Sequence, residues 1–182
     1  MSLSDAERST LLQLARETIR HTIEKAPPPK LPEMAGALGE KHGCFVTLTN
    51  RHHLRGCIGT FMPRSPLALA VVEMAGEACR DPRFTHCPIT AREVPELKVE
   101  VSVLSPLERI ADPLTLTLGT HGIYIVRGWA AGCFLPEVAA EAGWNVEEFL
   151  THCCEGKAGM APDAWKDPQT QVYVFTSEKF DQ

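Results

Sequence analysis

The residues of this chain best suited to chemistry lie in one short run, Leu54-Arg55-Gly56-Cys57-Ile58-Gly59-Thr60. Read as a β-strand, the run places Arg55, Cys57 and Gly59 on one face, because successive side chains alternate. A guanidinium beside a thiol favours the thiolate and lowers its pKa, and Gly59 has no side chain to cover the sulfur, which leaves room for a ligand. Cys57 is therefore the candidate nucleophile, and Arg55, Gly56 and Gly59 are candidates for the substrate side of a site. The competing explanation is a packing cysteine flanked by glycines that mark a bulge or a close helix contact.

A nucleophilic thiol needs a base, and five histidines qualify by residue type: His52, His53, His86, His121 and His152. His121 is preferred, since it sits at a glycine turn between two strand-like segments. His52 and His53 occupy a hairpin tip, where solvated histidines are common, and His152 lies on a helix beside two cysteines. Glu100 projects from the face opposite the valines of its strand, either into solvent or into a cleft where a carboxylate could move protons. Arg80, Asp81 and Arg83 follow a helix end, so a structural cap and an ion pair account for them; the sharper alternative is an anionic substrate held by Arg83.

These residues need elements to position them. Ser4-Asp5-Ala6-Glu7 is a capping-box pattern, and Leu11, Leu12, Ala15, Ile19 and Ile23 recur at helical spacing, which predicts a helix from Asp5 to Glu24. Pro27, Pro28 and Pro29 end it and stiffen the connector to Pro32. Two β-rich runs, CFVTLT from 44 and LRGCIGT from 54, flank a polar tip and predict a hairpin. Ser65 as N-cap and Pro66 in the first turn open a second helix, with Leu67, Ala70, Val71, Met74 and Ala78 as its buried stripe and an end near Arg80.

Thr90-x-x-Glu93 predicts one short helical turn. Residues 97–105 alternate cleanly, with Leu97, Val99, Val101 and Val103 on one face and Lys98, Glu100 and Ser102 on the other. Further strands are expected at 114–118, 122–127 and 132–135. Two short helices divided at Gly143 are expected next, the second capped by Asn145 and turning Val146, Phe149, Leu150 and Cys153 inward. QVYVFT then closes the domain. The expected fold is α+β, a mostly antiparallel sheet flanked by helices.

The totals bound the function. A chain of 182 residues is the size of one domain, at most with a subdomain, so residues 1–182 are read as one. Hydrophobic residues at 44% and charged residues at 23% are ordinary for a globular chain. A formal charge of -5 argues against non-specific nucleic-acid binding, whose affinity comes from neutralised phosphates. The first residues lack a secretory signal, and no stretch approaches the roughly 20 apolar residues of a membrane helix, so a cytoplasmic protein is expected. Seven cysteines with no C-x-x-C pair fit a reducing compartment, and a structural metal is not expected.

Several segments together resemble one family, the AMMECR domain, the A component of the AmmeMemoRadiSam system. They are GCFVTLTNRHHLRGCIGTF at 43–61, SPLALAVVEMAGEACRDPRF at 65–84, LKVEVSVLSP at 97–106, HGIYIVRG at 121–128, FLPEVAAEAGWNVEEFL at 134–150 and PDAW at 162–165. The LRGCIG motif is the most specific of them. The resemblance implies a two-part α+β fold, a larger antiparallel sheet with helices and a smaller subdomain, with LRGCIG near the cleft between them. It leaves the reaction and any cofactor undefined, and it implies partners by association, a Memo-like protein and a radical SAM protein.

Departures from the family pattern are Glu137, where glutamine is usual, and Thr85-His86-Cys87-Pro88 after DPRF; neither is expected to touch Arg55, Gly56, Cys57 or Gly59. Two functional expectations follow. One is an enzyme of small-molecule or protein modification, with Cys57 as thiolate, Arg55 lowering its pKa, His121 relaying protons with Glu100 as a further catalytic carboxylate, and Arg83 holding an anion. The other is a non-catalytic adaptor or ligand-binding module.

Overall fold

The computed structural model describes residues 2–181, and they form two compact units. The first comprises residues up to Leu104 together with those from Glu178 onward; the second is Ser105–Ser177. Each has its own four-stranded sheet and its own buried apolar cluster, so the expected α+β fold holds, with its strands divided between two sheets.

In the first unit, helix α1 (Asp5–Glu24) begins where the capping box places it. Glu7 N–H donates to Ser4 Oγ at 3.3 Å, and Ser4 N–H donates to the Glu7 carboxylate at 2.8 Å. Strands β1 (Cys44–Asn50) and β2 (His53–Thr60) form the expected hairpin, joined by Arg51 and His52, both left-handed at φ 48° and 67°. Helix α2 (Leu67–Ala78) starts one residue later than Ser65 implies. Pro66 occupies the cap, no side chain caps the helix, and Leu67 N–H donates to Glu40 O at 2.7 Å.

Strand β3 (Lys98–Leu104) pairs antiparallel with β1, and the sheet order is β2, β1, β3, then β8 (Ser177–Asp181) at the far edge. Cys44, Val46 and Leu48 of β1 and Val99, Val101 and Val103 of β3 face the helices, where they join Leu11, Ile19 and Val71 in one core. Each such fully buried aliphatic stabilises by about 1.5–3 kcal/mol. The alternate residues form the opposite face of the sheet: Phe45, Thr47, Glu100 and Ser102.

In the second unit, β4 (Glu108–Arg109), β5 (Gly122–Arg127), β6 (Ala130–Phe134) and β7 (Gln171–Phe175) form a sheet ordered β4, β7, β5, β6, antiparallel throughout. Helices α3 (Glu137–Ala142) and α4 (Val146–Gly156) are divided by Gly143 in the left-handed region, and Asn145 caps α4 in a second capping box. Phe149, Leu150 and Cys153 are buried as expected.

Two expectations about these elements are corrected. Residues 114–118 are not a strand: Asp112 accepts from Leu114 N–H at 3.0 Å, and Pro113–Thr115 form a 3₁₀ turn. The Thr90–Glu93 segment does form the expected single turn, closed by Glu93 N–H donating to Thr90 O at 2.9 Å, and it runs into a 3₁₀ turn at Val94–Glu96. QVYVFT does not end the fold, since β8 follows it as an edge strand of the first sheet. Among the described residues no helix is long and apolar enough to cross a membrane.

Candidate functional site

The LRGCIGT motif is β2, and one irregularity in it decides where its side chains point. Across the hairpin Asn50 pairs with His53 and Thr49 with Leu54, but Leu48 pairs with Gly56 and Thr47 with Cys57. Arg55 is the extra residue of a β-bulge. An unbroken register would set Cys57 opposite Val46, on the core face; the bulge sets it opposite Thr47, on the face away from the helices.

The bulge also takes Arg55 out of the row it was expected to share with Cys57. Its guanidinium makes a fork with Glu93, Nε to Oε1 and Nη2 to Oε2, the latter at 3.1 Å, and donates further to Cys87 O at 3.0 Å and Cys87 Sγ at 2.9 Å. Both side chains of the pair are largely buried, 13% and 16% exposed. The bond to Arg55 holds the Glu93 carboxyl below the usual carboxylate range, and the same bond raises the Arg55 pKa. The thiol that Arg55 touches is therefore Cys87, and the expectation that Arg55 acts on Cys57 is corrected.

Asp81 and Arg83 hold Cys57 by its backbone. The Cys57 N–H donates to Asp81 Oδ2 at 2.9 Å, and Arg83 Nη2 donates to Cys57 O at 3.1 Å. Arg83 also grips Asp81 through Nη2 at 2.6 Å and Nε at 3.0 Å. The β2 edge thus finds in an Asp-Arg pair the donor and acceptor that a further strand would supply. The Asp81 side chain is 1% exposed, and its carboxyl is held far below the normal range, first by the Arg83 bonds and then by backbone N–H groups. Of the two readings of Arg83, the structural cap and ion pair accounts for these donors.

The two glycines have packing reasons. A Cβ on Gly56 would run into the carbonyl of Ala78 at the end of α2, and one on Gly59 would overlap the Phe45 ring. Space above Gly59 is filled by that ring, which corrects the expectation of a vacant place beside the sulfur.

The Cys57 side chain is half-buried, and the Thr47 hydroxyl donates to its sulfur at 3.2 Å. Thr47 pairs in turn with Glu100 on β3, so Cys57, Thr47 and Glu100 form one row across three strands. Glu100 is half-buried and forms an ion pair with Lys179 at 3.3 Å. His121 belongs to the second unit, where its Nδ1 accepts the Thr117 N–H at 3.1 Å and closes the turn before β5. His152 stacks on Trp144 with centroids 4.2 Å apart.

The sequence reading singled out Cys57 and Glu100 but not the Thr47 between them, nor Asp81, Glu93 and Cys87 as partners of the motif. Glu93 and Cys87 lie more than thirty residues from Arg55, and no spacing signals such a pairing. Of the other cysteines, Cys44, Cys153 and Cys154 are buried; burial pushes the Cys44 thiol up to about 12, and Cys79, half-buried, to about 11.

Comparisons with known proteins match this architecture over nearly the whole chain. The family model described as AMMECR1 covers residues 12–180. A protein of Methanothermobacter thermautotrophicus is 41% identical over 186 residues, spanning 98% of this chain and 95% of its own. Protein TK0174 of Thermococcus kodakarensis is 43% identical over 188 residues, covering 94% and 88%. The crystal structure of the uncharacterized protein PH0010 from Pyrococcus horikoshii superposes with a TM-score of 0.84 at 38% identity, covering 94% of this chain and 89% of that one. With the family model matched over residues 12–180 and relatives above 40% identical over nearly the whole chain, the chain belongs to the AMMECR1 family.

Proposed function

We propose that the chain is a thiol-dependent enzyme of small-molecule or protein modification, with its working surface on the sheet face that carries Cys57, Thr47 and Glu100. The observation that carries this reading is the cross-strand row itself, in which the Thr47 hydroxyl bonds the Cys57 sulfur at 3.2 Å and Glu100 is the next residue along. The Thr47 hydroxyl takes up the thiol proton as its own passes to the Glu100 carboxylate, and then donates to the thiolate. The Cys57 sulfur displaces a leaving group from an electrophilic carbon, the S–C bond forming as the carbon–leaving-group bond breaks and Glu100 returning the proton to the departing group. Adjacent cross-strand side chains are about 5 Å apart at Cβ, within reach for such a relay through a hydroxyl or one water. Arg55, Gly56, Gly59 and Arg83 act by shaping and holding the strand, and His121 has no role in this scheme. Seven free cysteines support a reducing, cytoplasmic setting.

The test is the rate of iodoacetamide alkylation at Cys57, resolved from Cys87 by peptide mass, as a function of pH. Thr47→Val and Glu100→Gln are expected to slow Cys57 at least fivefold at neutral pH while leaving Cys87 unchanged. Equal Cys57 rates in all three proteins would end the nucleophile reading.

A specific observation favours a second reading, a non-catalytic adaptor or ligand-binding module. The charged groups around the motif are satisfied by the protein itself, Arg55 by Glu93 and Arg83 by Asp81. The motif then serves to hold a surface, with Met62, 68% exposed just beyond β2, as part of it. A Memo-like or radical SAM protein is the partner to try. Capture that survives Cys57→Ser but is lost in Met62→Asp supports the adaptor; no capture by the wild type removes it.

A further inference from the structure

The second unit contains a cavity of about 820 Å³ whose lining residues all belong to that unit. Volumes of about 300–1,000 Å³ are those of small-molecule sites. Its walls come from β4 and the loop after it, from the 3₁₀ turn at Ala164–Lys166 and the start of β7, and from the first turn of α4. Ile110, Leu114, Trp165 and Val172 supply an apolar lining that includes one aromatic face.

Its polar groups are unbalanced in a way that points to a ligand. Thr170 lines the cavity and is only 8% exposed, yet its hydroxyl has no hydrogen-bond partner among the described residues. A buried hydroxyl without a partner is destabilising, and in native proteins such a group usually has a water or a ligand to satisfy it. The exposed Arg109 guanidinium, on the edge strand β4, makes no ion pair or side-chain hydrogen bond among the described residues, and Lys166 contributes a second cation, whose Nζ lies over the Trp165 ring at 4.8 Å. Of the two lining carboxylates, Asp167 is neutralised by Arg127 at 2.9 Å; Glu147, in the first turn of α4, is stabilised by the helix terminus.

We infer that this cavity binds a small organic anion with a flat apolar body, its negative group directed to Arg109 and an acceptor atom to the Thr170 hydroxyl. An apolar pocket with a few convergent polar groups is the usual form of such sites. Arg109 supplies the charge-assisted bonds that fix orientation, and Leu114 with Ile110, the more exposed apolar residues of the lining, takes the ring beside Trp165.

The probe is 8-anilinonaphthalene-1-sulfonate, with its uncharged analogue N-phenyl-1-naphthylamine as control, titrated by fluorescence into the full chain. The expected result is one sulfonate probe per chain, at least tenfold tighter than the neutral analogue, with the Trp165 indole N–H resonance shifting and that of the exposed Trp129 unmoved. Arg109→Glu weakens the sulfonate at least tenfold and leaves the neutral probe alone, whereas Glu147→Gln tightens it or has no effect. Thr170→Val weakens it several-fold while raising the melting temperature of the free protein, because the substitution removes an unpaired hydroxyl without changing shape; the rise also shows that the variant folds. Absence of 1:1 binding, equal affinity for the two probes, an unmoved Trp165 signal or unchanged affinity in Arg109→Glu would each overturn the inference.

Discussion

The backbone N–H of Cys57 donates to the Oδ2 of Asp81 at 2.9 Å, joining the centre of the motif strand to the residue just past α2. The carboxylate is almost fully buried, and Arg83 Nη2 donates to the same oxygen at 2.6 Å. The DPRF turn and the RGC strand therefore form one structural device, although twenty-four residues separate their contact points.

Asp81→Ala is expected to lower stability by about 3 kcal/mol, because it leaves the Cys57 N–H and the Arg83 guanidinium without their partner. Urea denaturation followed by circular dichroism measures this directly. A loss below about 0.5 kcal/mol would mean that water replaces the carboxylate at no cost.

The same residue sets an acid dependence. The Asp81 pKa is lowered on folding, so its contribution is fully present above about pH 4, where the unfolded chain's aspartates are ionised, and is lost as the pH falls further toward the folded value. Asp81→Asn should show a shallower fall in stability below pH 4 than the wild type, as measured by unfolding at a series of pH values.

Arg55→Lys keeps the charge but cannot make the two-pronged contact with Glu93 while also reaching Cys87. A loss of about 1–2 kcal/mol is expected, since a largely buried bidentate pair is stronger than a surface one. A double-mutant cycle with Glu93→Gln should return most of that as coupling energy; additive losses would show that the two side chains act independently.

Gly56→Ala should cost about 1–3 kcal/mol or more, since the new methyl meets the Ala78 carbonyl and backbone yields poorly. Gly59→Ala meets the Phe45 ring and also the Cys44 carbonyl, so Phe45→Ala made together with it should recover only part of its loss. Melting temperatures of the four proteins decide the matter.

At the hairpin tip Arg51 and His52 both adopt positive φ, which costs non-glycine residues about 1–2 kcal/mol each. Replacing them with Asn-Gly, the pair this two-residue turn favours, should raise stability by about 1 kcal/mol, or roughly 2–4 °C in Tm for a chain of this size.

Much of the architecture was legible before any coordinates. The α1 start follows from the capping box and its end from the prolines at 27–29, the core face of β3 from strict alternation, and the α3 and α4 division from Gly143 and Asn145; all are local signals read within a few residues. Strand β8 and the two-residue β4 were not, because neither has a pattern of its own and both exist by pairing with distant strands.

The candidate site divides along the same line. Sequence by itself determined that a thiol, an arginine and two glycines stand together in a strand, and that Glu100 faces away from the core. Only the tertiary structure decided which thiol meets the arginine and which face Cys57 occupies. A single extra residue at Arg55 shifts the register of β2, so that Cys57 lies beside Thr47 and Arg55 turns to Glu93 and Cys87. Alternation along a strand is a local rule, whereas a bulge is fixed by what the neighbouring strand, the end of α2 and the 81–93 segment require of it, and those constraints are written far from the motif they shape.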